Sequence, residues 1–288
     1  MTAGERASVM LPAGLRERVL AASAQARPPG HWIGENAAVP PAEAFSRAAD
    51  ALHALLQGLP DRDWQRVVLR GLDVRGLAGH LIGVEADMHS CLSGDPAVAG
   101  ADHVGSTQPA AARQSGRPPA QIRADWRSAI DRTLTLVRAA GTTDAELALH
   151  GMRLPLPDLL VARAFELWTH DNDIRRVAGL PPSVPDPPTL RRMTELAARL
   201  LPRGAAATGL GRALRLRLVL TGPGGGSWDI PIGDAGQGSP AIRIVTDAVG
   251  FCRLVANRIA PADLDLQATG AKELTAAVLA GAAALALD

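Results

Sequence analysis

Phe165-Glu166-Leu167-Trp168-Thr169-His170-Asp171-Asn172-Asp173-Ile174-Arg175 decides how this chain reads. A carboxylate and an imidazole four residues apart fall on the same side of a helix, because 3.6 residues make one turn. Such a pair can occupy two positions on one metal ion. His80 supplies a third candidate from a second expected helix, Val74 to Leu92. Together Glu166, His170 and His80 make a two-histidine, one-carboxylate set with open coordination positions, the pattern of a catalytic metal rather than a structural one.

Taken alone, a Glu and a His at helical spacing more often form a solvated pair. Three features move the reading toward a metal. His80 lies on the apolar side of its helix beside Leu77, Leu81 and Val84, where an unpaired imidazole is costly. Glu166 stands between Phe165 and Leu167, so it too turns away from bulk water. Facing helices of a bundle are also where such centres are built.

Working outward, an apolar stripe of Phe45, Ala48, Leu52, Leu55, Leu56 and Leu59 predicts a helix that begins at Pro41 and ends at Pro60-Asp61-Arg62-Asp63. Asp73 is placed to cap the helix that carries His80. Gly94 to Pro119, rich in Gly, Ala, Ser and Pro, reads as a long loop. A helix from Ala120 to Ala139 follows, with Ile122, Trp126, Ile130 and Val137 on one face. The helix bearing the opening motif starts after Leu154-Pro155-Leu156-Pro157 and runs to about Ala178. These four helices predict a four-helix bundle.

Leu180 to Pro188 holds five prolines in nine residues and reads as a linker. A helix from Thr189 to Leu201 precedes a change of period. Leu214, Leu216, Leu218 and Leu220 alternate with Arg215 and Arg217, and Trp228, Ile230 and Ile232 alternate after a glycine-rich turn at 222–226. That glycine run lacks the Lys-Ser/Thr of a phosphate loop. A third strand at Ile242 and Ile244, a helix from Asp247 through Arg258, a fourth strand at Leu264 to Thr269 and an Ala-rich last helix, Leu274 to Leu287, complete an α+β unit. The expected division is an extension at 1–40, with a short helix from Ala13 to Ala26, a helical domain at 41–179 and an α+β domain at 189–288.

Among 288 residues there are 30 basic and 29 acidic side chains, a formal charge of +1, so no excess field draws in nucleic acid or anionic lipid. Cys91 and Cys252 are too few and too far apart for a disulfide framework. The start of the chain is interrupted by Arg16, Glu17 and Arg18, unlike a leader, and the final Ala-rich run is too short to span a bilayer. A reducing cytoplasm is the expected compartment. The oligomeric state is not readable.

The residues also carry a resemblance. Gly71-Leu72-Asp73-Val74-Arg75-Gly76-Leu77-Ala78-Gly79-His80-Leu81 resembles the first metal-helix segment of the mycothiol-dependent maleylpyruvate isomerase family, within the DinB-like metalloenzymes. The stretch from Glu166 to Arg175 is similar to that family's second motif, E-x-W-x-H-x-x-D-x-R. The hairpin, Phe251 to Arg258 and Ala268-Thr269-Gly270 resemble its small, sterol-carrier-like C-terminal domain. The likeness spans about residues 41 to 288. Leu72 stands where Trp is usual, and Ala256-Asn257-Arg258 replaces a commoner Gly-Arg.

The resemblance implies that His80, Glu166 and His170 hold zinc or another divalent metal. It implies mycothiol as the thiol cosubstrate, activated as a metal-bound thiolate that attacks a small electrophilic metabolite. Either cis–trans isomerisation or S-transfer would follow. Arg258 is the candidate catalytic residue, pairing a substrate anion, although a helix-end arginine serving the last carbonyls reads equally well. Asp173 and Arg175 are candidates to orient the ligands, Asp173 through the far nitrogen of His170. His89, His103 and His150 read more readily as surface histidines. The competing class is a non-catalytic, metal-stabilised protein that binds or carries a ligand.

Overall fold

A computed structural model of the chain describes residues 39–141, 145–210 and 213–286. The expected helix at Ala13–Ala26 and most of the 1–40 extension lie outside the described residues. The architecture is mixed, mainly helical with two small hairpins up to residue 178 and helix-plus-sheet after it.

Four long helices match the sequence reading to within two residues at each end: α1 (Pro41–Gly58), α2 (Val74–Leu92), α4 (Pro119–Ala140) and α5 (Leu156–Ala178). Asp73 caps α2 by accepting from the Gly76 amide at 2.8 Å. Helix α5 ends at Gly179 in the left-handed conformation. Helix α1 packs on α4 and α5, and α2 packs on α4, burying Phe45, Leu52, Trp64, Leu77, Leu81, Trp126 and Ile130.

The segment expected to be a loop, Gly94 to Pro119, instead contains α3 (His103–Ala112) after a short 3-10 turn, Pro96–Val98. Asp102 caps it through the Gly105 amide at 2.6 Å. The reason is packing against α2. Gly79 and Gly83 present bare backbone one turn apart, and a Cβ at Gly79 would stand 2.8 Å from the Ala110 carbonyl oxygen and the Ala111 Cα. A helix of modest propensity, interrupted by Pro109, is held by that close approach.

Two small hairpins also lacked a sequence reading: β1 (Val67–Leu69) with β2 (Leu72–Asp73), and β3 (Glu146–Leu149) with β4 (Met152–Pro155). Their two-residue turns, Arg70-Gly71 and His150-Gly151, have φ of 47° and 77°, and of 50° and 73°. Positive φ at both central residues matches the twist of the strands they join.

Helix α6 (Pro187–Ala207) begins two residues before the expected Thr189 and outlasts Leu201 by six. It packs against α1 and α5 on one side and against the second half on the other. There, β5 (Leu214–Thr221), β6 (Gly226–Ile232), β7 (Ile242–Asp247) and β8 (Leu266–Thr269) form one sheet in the order β6-β5-β7-β8. Strand β5 runs antiparallel to β6 and parallel to β7. Leu214, Leu216, Leu218 and Leu220 all turn inward, as their alternation requires. The glycine run is the β5–β6 turn, and α6 docks on it: the Thr194 hydroxyl donates to the Gly224 carbonyl at 2.7 Å.

Helix α7 (Ala248–Val255) stops three residues short of Arg258, because Asn257 adopts φ of 54° and turns the chain. Helix α8 (Lys272–Ala283) starts earlier and ends earlier than expected. No helix among the described residues is long and apolar enough to cross a membrane.

Candidate metal centre

Helix α2 brings His80 opposite Glu166 and His170 of α5. One donor atom from each, Nε2 of His80, Oε1 of Glu166 and Nε2 of His170, lies within 4.8 Å of the other two. His80 Nε2 is 3.4 Å and His170 Nε2 4.0 Å from Glu166 Oε1. All three atoms are buried and none has a hydrogen-bond partner. Three orphaned polar atoms aimed at one another are costly where they stand.

The far side of each group is satisfied. The Thr107 hydroxyl sits 2.7 Å from His80 Nδ1 and gives its own proton to the carbonyls of His103 and Val104. It therefore accepts from His80 Nδ1–H, which leaves the lone pair of the neutral ring on Nε2. Asp173 Oδ2, 3.1 Å from His170 Nδ1, fixes that ring the same way. Arg163 donates to Glu166 Oε2 and turns Oε1 toward the imidazoles. Two imidazole lone pairs and one carboxylate oxygen thus converge, and that donor set fits a divalent ion such as zinc.

The electrostatics agree. Burial pushes the Glu166 carboxyl up, but the Arg163 guanidinium, then His103, overcome it and hold the group well below the usual carboxylate range. Burial holds the His80 imidazole below its ordinary value despite the opposing pull of Glu166. Asp173 is also pushed up by burial, yet hydrogen bonds from His170 and Arg258 bring it down to about 2.

Behind Glu166 runs a buried charge network. Arg163, 3% exposed, bridges to fully buried Glu85 at 2.6 Å. Glu85 also accepts from Thr133 of α4, whose hydroxyl is 2.8 Å from His89 Nε2. His89 thus belongs to this network. Sequence reading passed over Arg163, although its place three residues before Glu166 puts the two on one face.

Arg258 grips Asp173 through Nε at 3.0 Å and a terminal nitrogen at 2.8 Å, so it reaches the cluster by way of the carboxylate that orients His170. Arg175 is not brought to the cluster: it pairs with Asp171 at 2.6 Å and steadies the segment after α5. Trp168 packs on Phe165 and donates to the Ser183 carbonyl, a structural part.

His103 and His150 are not surface histidines; each is 6% exposed. His103 Nε2 is 3.5 Å from Glu166 Oε1, and its Nδ1 is 3.0 Å from His150 Nδ1. Neither carries a sequence signal of its own, since both arrive on elements that read as loop.

A cavity of about 110 Å³ opens on Glu166 and His170, walled by Val84, Leu149, Phe165, Leu196 and Val255. A larger cleft of about 720 Å³ adjoins it across Thr169 and Ala256, with Arg70, Arg176, Arg253 and Arg258 on its rim. Both thiols of the chain are buried and line neither space, and burial raises both above the ordinary thiol range.

Residues 45–175 match the family model described as the mycothiol maleylpyruvate isomerase N-terminal domain. Two uncharacterized proteins of Mycobacterium tuberculosis, from strains CDC 1551 and H37Rv, are each 26% identical over 230 residues, covering 77% of this chain and 86% of the relative. The crystal structure of a mycothiol-dependent maleylpyruvate isomerase shares the fold at a TM-score of 0.50 and 18% identity, over 80% of this chain and 93% of that one.

Proposed function

We propose that this chain, whose residues 45–175 belong to the mycothiol maleylpyruvate isomerase N-terminal family, is a metal-dependent enzyme that uses a mycothiol-type thiol to isomerise a small electrophilic metabolite or to place sulfur on it. What carries the reading is the convergence of three buried, partnerless donor atoms from His80, Glu166 and His170, each fixed from behind. We further read α1, α2, α4 and α5 as a DinB-like bundle, and residues 189–288 as a second domain that closes over it.

A zinc ion held by those three residues would acidify a bound thiol, so that thiolate is present at neutral pH. The chain's own residues do the rest. Arg163 fixes the Glu166 carboxylate, while Thr107 and the Asp173–Arg258 pair fix the rings of His80 and His170. The apolar wall excludes water from the reacting carbon and sulfur. Rim arginines of the larger cleft, Arg258 among them, suit the carboxylates of a small organic acid.

Addition of the thiolate to a cis alkene conjugated with a carbonyl forms a C–S bond and moves the alkene's electron pair onto the carbonyl oxygen. The former double bond can then rotate, and expelling the same thiolate restores a trans alkene. No thiol is consumed. In the S-transfer variant the thiolate displaces a leaving group and stays. Since the cysteines of the chain are buried away from both cavities, the thiol comes from outside. A reducing cytoplasm suits that requirement.

Elemental analysis of purified protein is expected to find about one zinc per chain, lost in His80→Ala and His170→Ala with the helical signal retained. Wild type, incubated with mycothiol and maleylpyruvate, should turn over only when both thiol and metal are present. Bound metal without any thiol-dependent conversion of maleylpyruvate or of an electrophile panel would overturn the enzymatic reading in favour of a metal-stabilised carrier.

A further inference from the structure

The two cavities beside the cluster differ in kind, and the smaller one offers an acid no partner. Its wall is apolar: Val84 of α2, Leu149 of β3, Phe165 of α5, Leu196 and Leu200 of α6, and Val255 of α7. The polar side chains that reach it are already engaged. Arg163 spans Glu85 and Glu166, Thr169 donates to the Phe165 carbonyl, and His150 is held between Asp87 and His103. A carboxylate placed there would face Glu166, lose its water and gain no cation.

A hydrocarbon group fits instead. At about 110 Å³ the cavity is somewhat smaller than the roughly 150 Å³ of an apolar hole that takes up benzene, so it holds a chain of about four or five carbons.

The larger cleft has the opposite character. Arg70, Arg176, Arg253 and Arg258 line it together with Asp173, which His170 and Arg258 already engage. Arg176 gives a hydrogen bond to the Val68 carbonyl, and among the described residues no acidic side chain pairs with it or with Arg253. Two guanidinium groups on one cleft without a counter-charge favour an anion. The two spaces meet at Thr169 and Ala256, which line both. A ligand lying across that saddle has one end among arginines and the other in an apolar hole that Glu166 and His170 also line.

We infer that the electrophile is amphipathic: a carboxylic acid with a hydrocarbon tail, its carboxylate held by Arg176 and Arg253 and its tail seated in the apolar cavity. The inference rests on the enzymatic reading above and names a substrate class for it. An acid charged at both ends has to keep both charges in the cleft and leaves the cavity empty.

Non-reacting probes test this without turnover. Butanoate, pentanoate, hexanoate, heptanoate and octanoate are titrated into purified wild type by calorimetry. Affinity should rise about fourfold per added methylene until the cavity fills, then level off. Ala162→Phe, on the cavity wall, should bring the plateau to shorter chains, and Leu200→Ala should carry it to longer ones. Arg176→Gln/Arg253→Gln should weaken every member of the series at least about tenfold and leave the slope unchanged. An affinity indifferent to chain length, or one plateau shared by wild type and both cavity variants, would overturn the inference. Undiminished affinity in the arginine variant would overturn its acid end. If Ala162→Phe does not fold, the wild-type slope and Leu200→Ala decide. Thiol-dependent turnover beside a flat probe series leaves the enzyme standing without this substrate class. A steep series with no thiol-dependent conversion of any electrophile supports the seat for an amphipathic acid and overturns the enzymatic reading.

Discussion

The two halves of this protein bury opposite things. Between residues 61 and 178 the interior holds Glu85, Arg163, His80, His170, Asp171 and Asp173; among the described residues from 187 onward, the buried polar side chains are Thr189, Thr194, Thr246 and Thr275. The helical half thus carries charge and imidazole where both are costly, and compensates with a connected network. The later half lends the cavity apolar walls such as Leu196 and Val255, and from it Arg258 reaches Asp173.

That contrast can be broken in four ways. Arg163→Met removes the cation between Glu85 and Glu166 and strands two carboxylates. It should cost about 3–5 kcal/mol in denaturant unfolding of the metal-free protein, with much of the loss restored in Glu85→Leu/Arg163→Met. A cost below about 1 kcal/mol would mean the network does not support the fold. In the other half, Leu218→Ala, at a fully buried position of the central strand, should cost about 2–5 kcal/mol. Zinc affinity of the folded variant should stay the same; a parallel fall would show that the halves are not separable in this way.

Arg258→Ala tests the arm that joins them. Releasing Asp173 should weaken zinc binding by about 10–100-fold, with far-ultraviolet circular dichroism unchanged. Unaltered affinity accompanied by a raised KM would assign Arg258 to substrate instead. The smallest effect is in acid. Asp173 falls from its ordinary 3.8 to about 2 in the folded protein, so its contribution is full above pH 4 and lost as pH falls through about 2. In metal-free protein this is worth at most about 2.5 kcal/mol. Asp173→Asn should flatten that part of the stability profile, and an unchanged slope would remove Asp173 from the network.

Much of this was legible in the sequence. The helical stripes, the leucine alternation of β5 and the Glu166–His170 spacing are local patterns, and local patterns survive folding. What was hidden depends on contact between distant segments. Helix α3 forms because two glycines of α2 leave room for it, while its own Gly, Ala, Ser and Pro composition argues for a loop. The hairpin turns escaped because Arg-Gly and His-Gly are weak signals beside Asn-Gly or Asp-Gly. His103 and His150 were hidden with those elements. Arg258 was singled out as a partner for a substrate anion; its hold on Asp173 crosses 85 residues, and no spacing encodes it.

The sheet of the second half has one further consequence. Its two outer strands are poor templates for strand addition: β6 carries Pro231, which offers no amide proton, and β8 is only four residues long. Neither rim invites a second chain to extend the ladder. The outline of this sheet, a proline on one rim and a short strand on the other, is itself a barrier to edge-to-edge pairing.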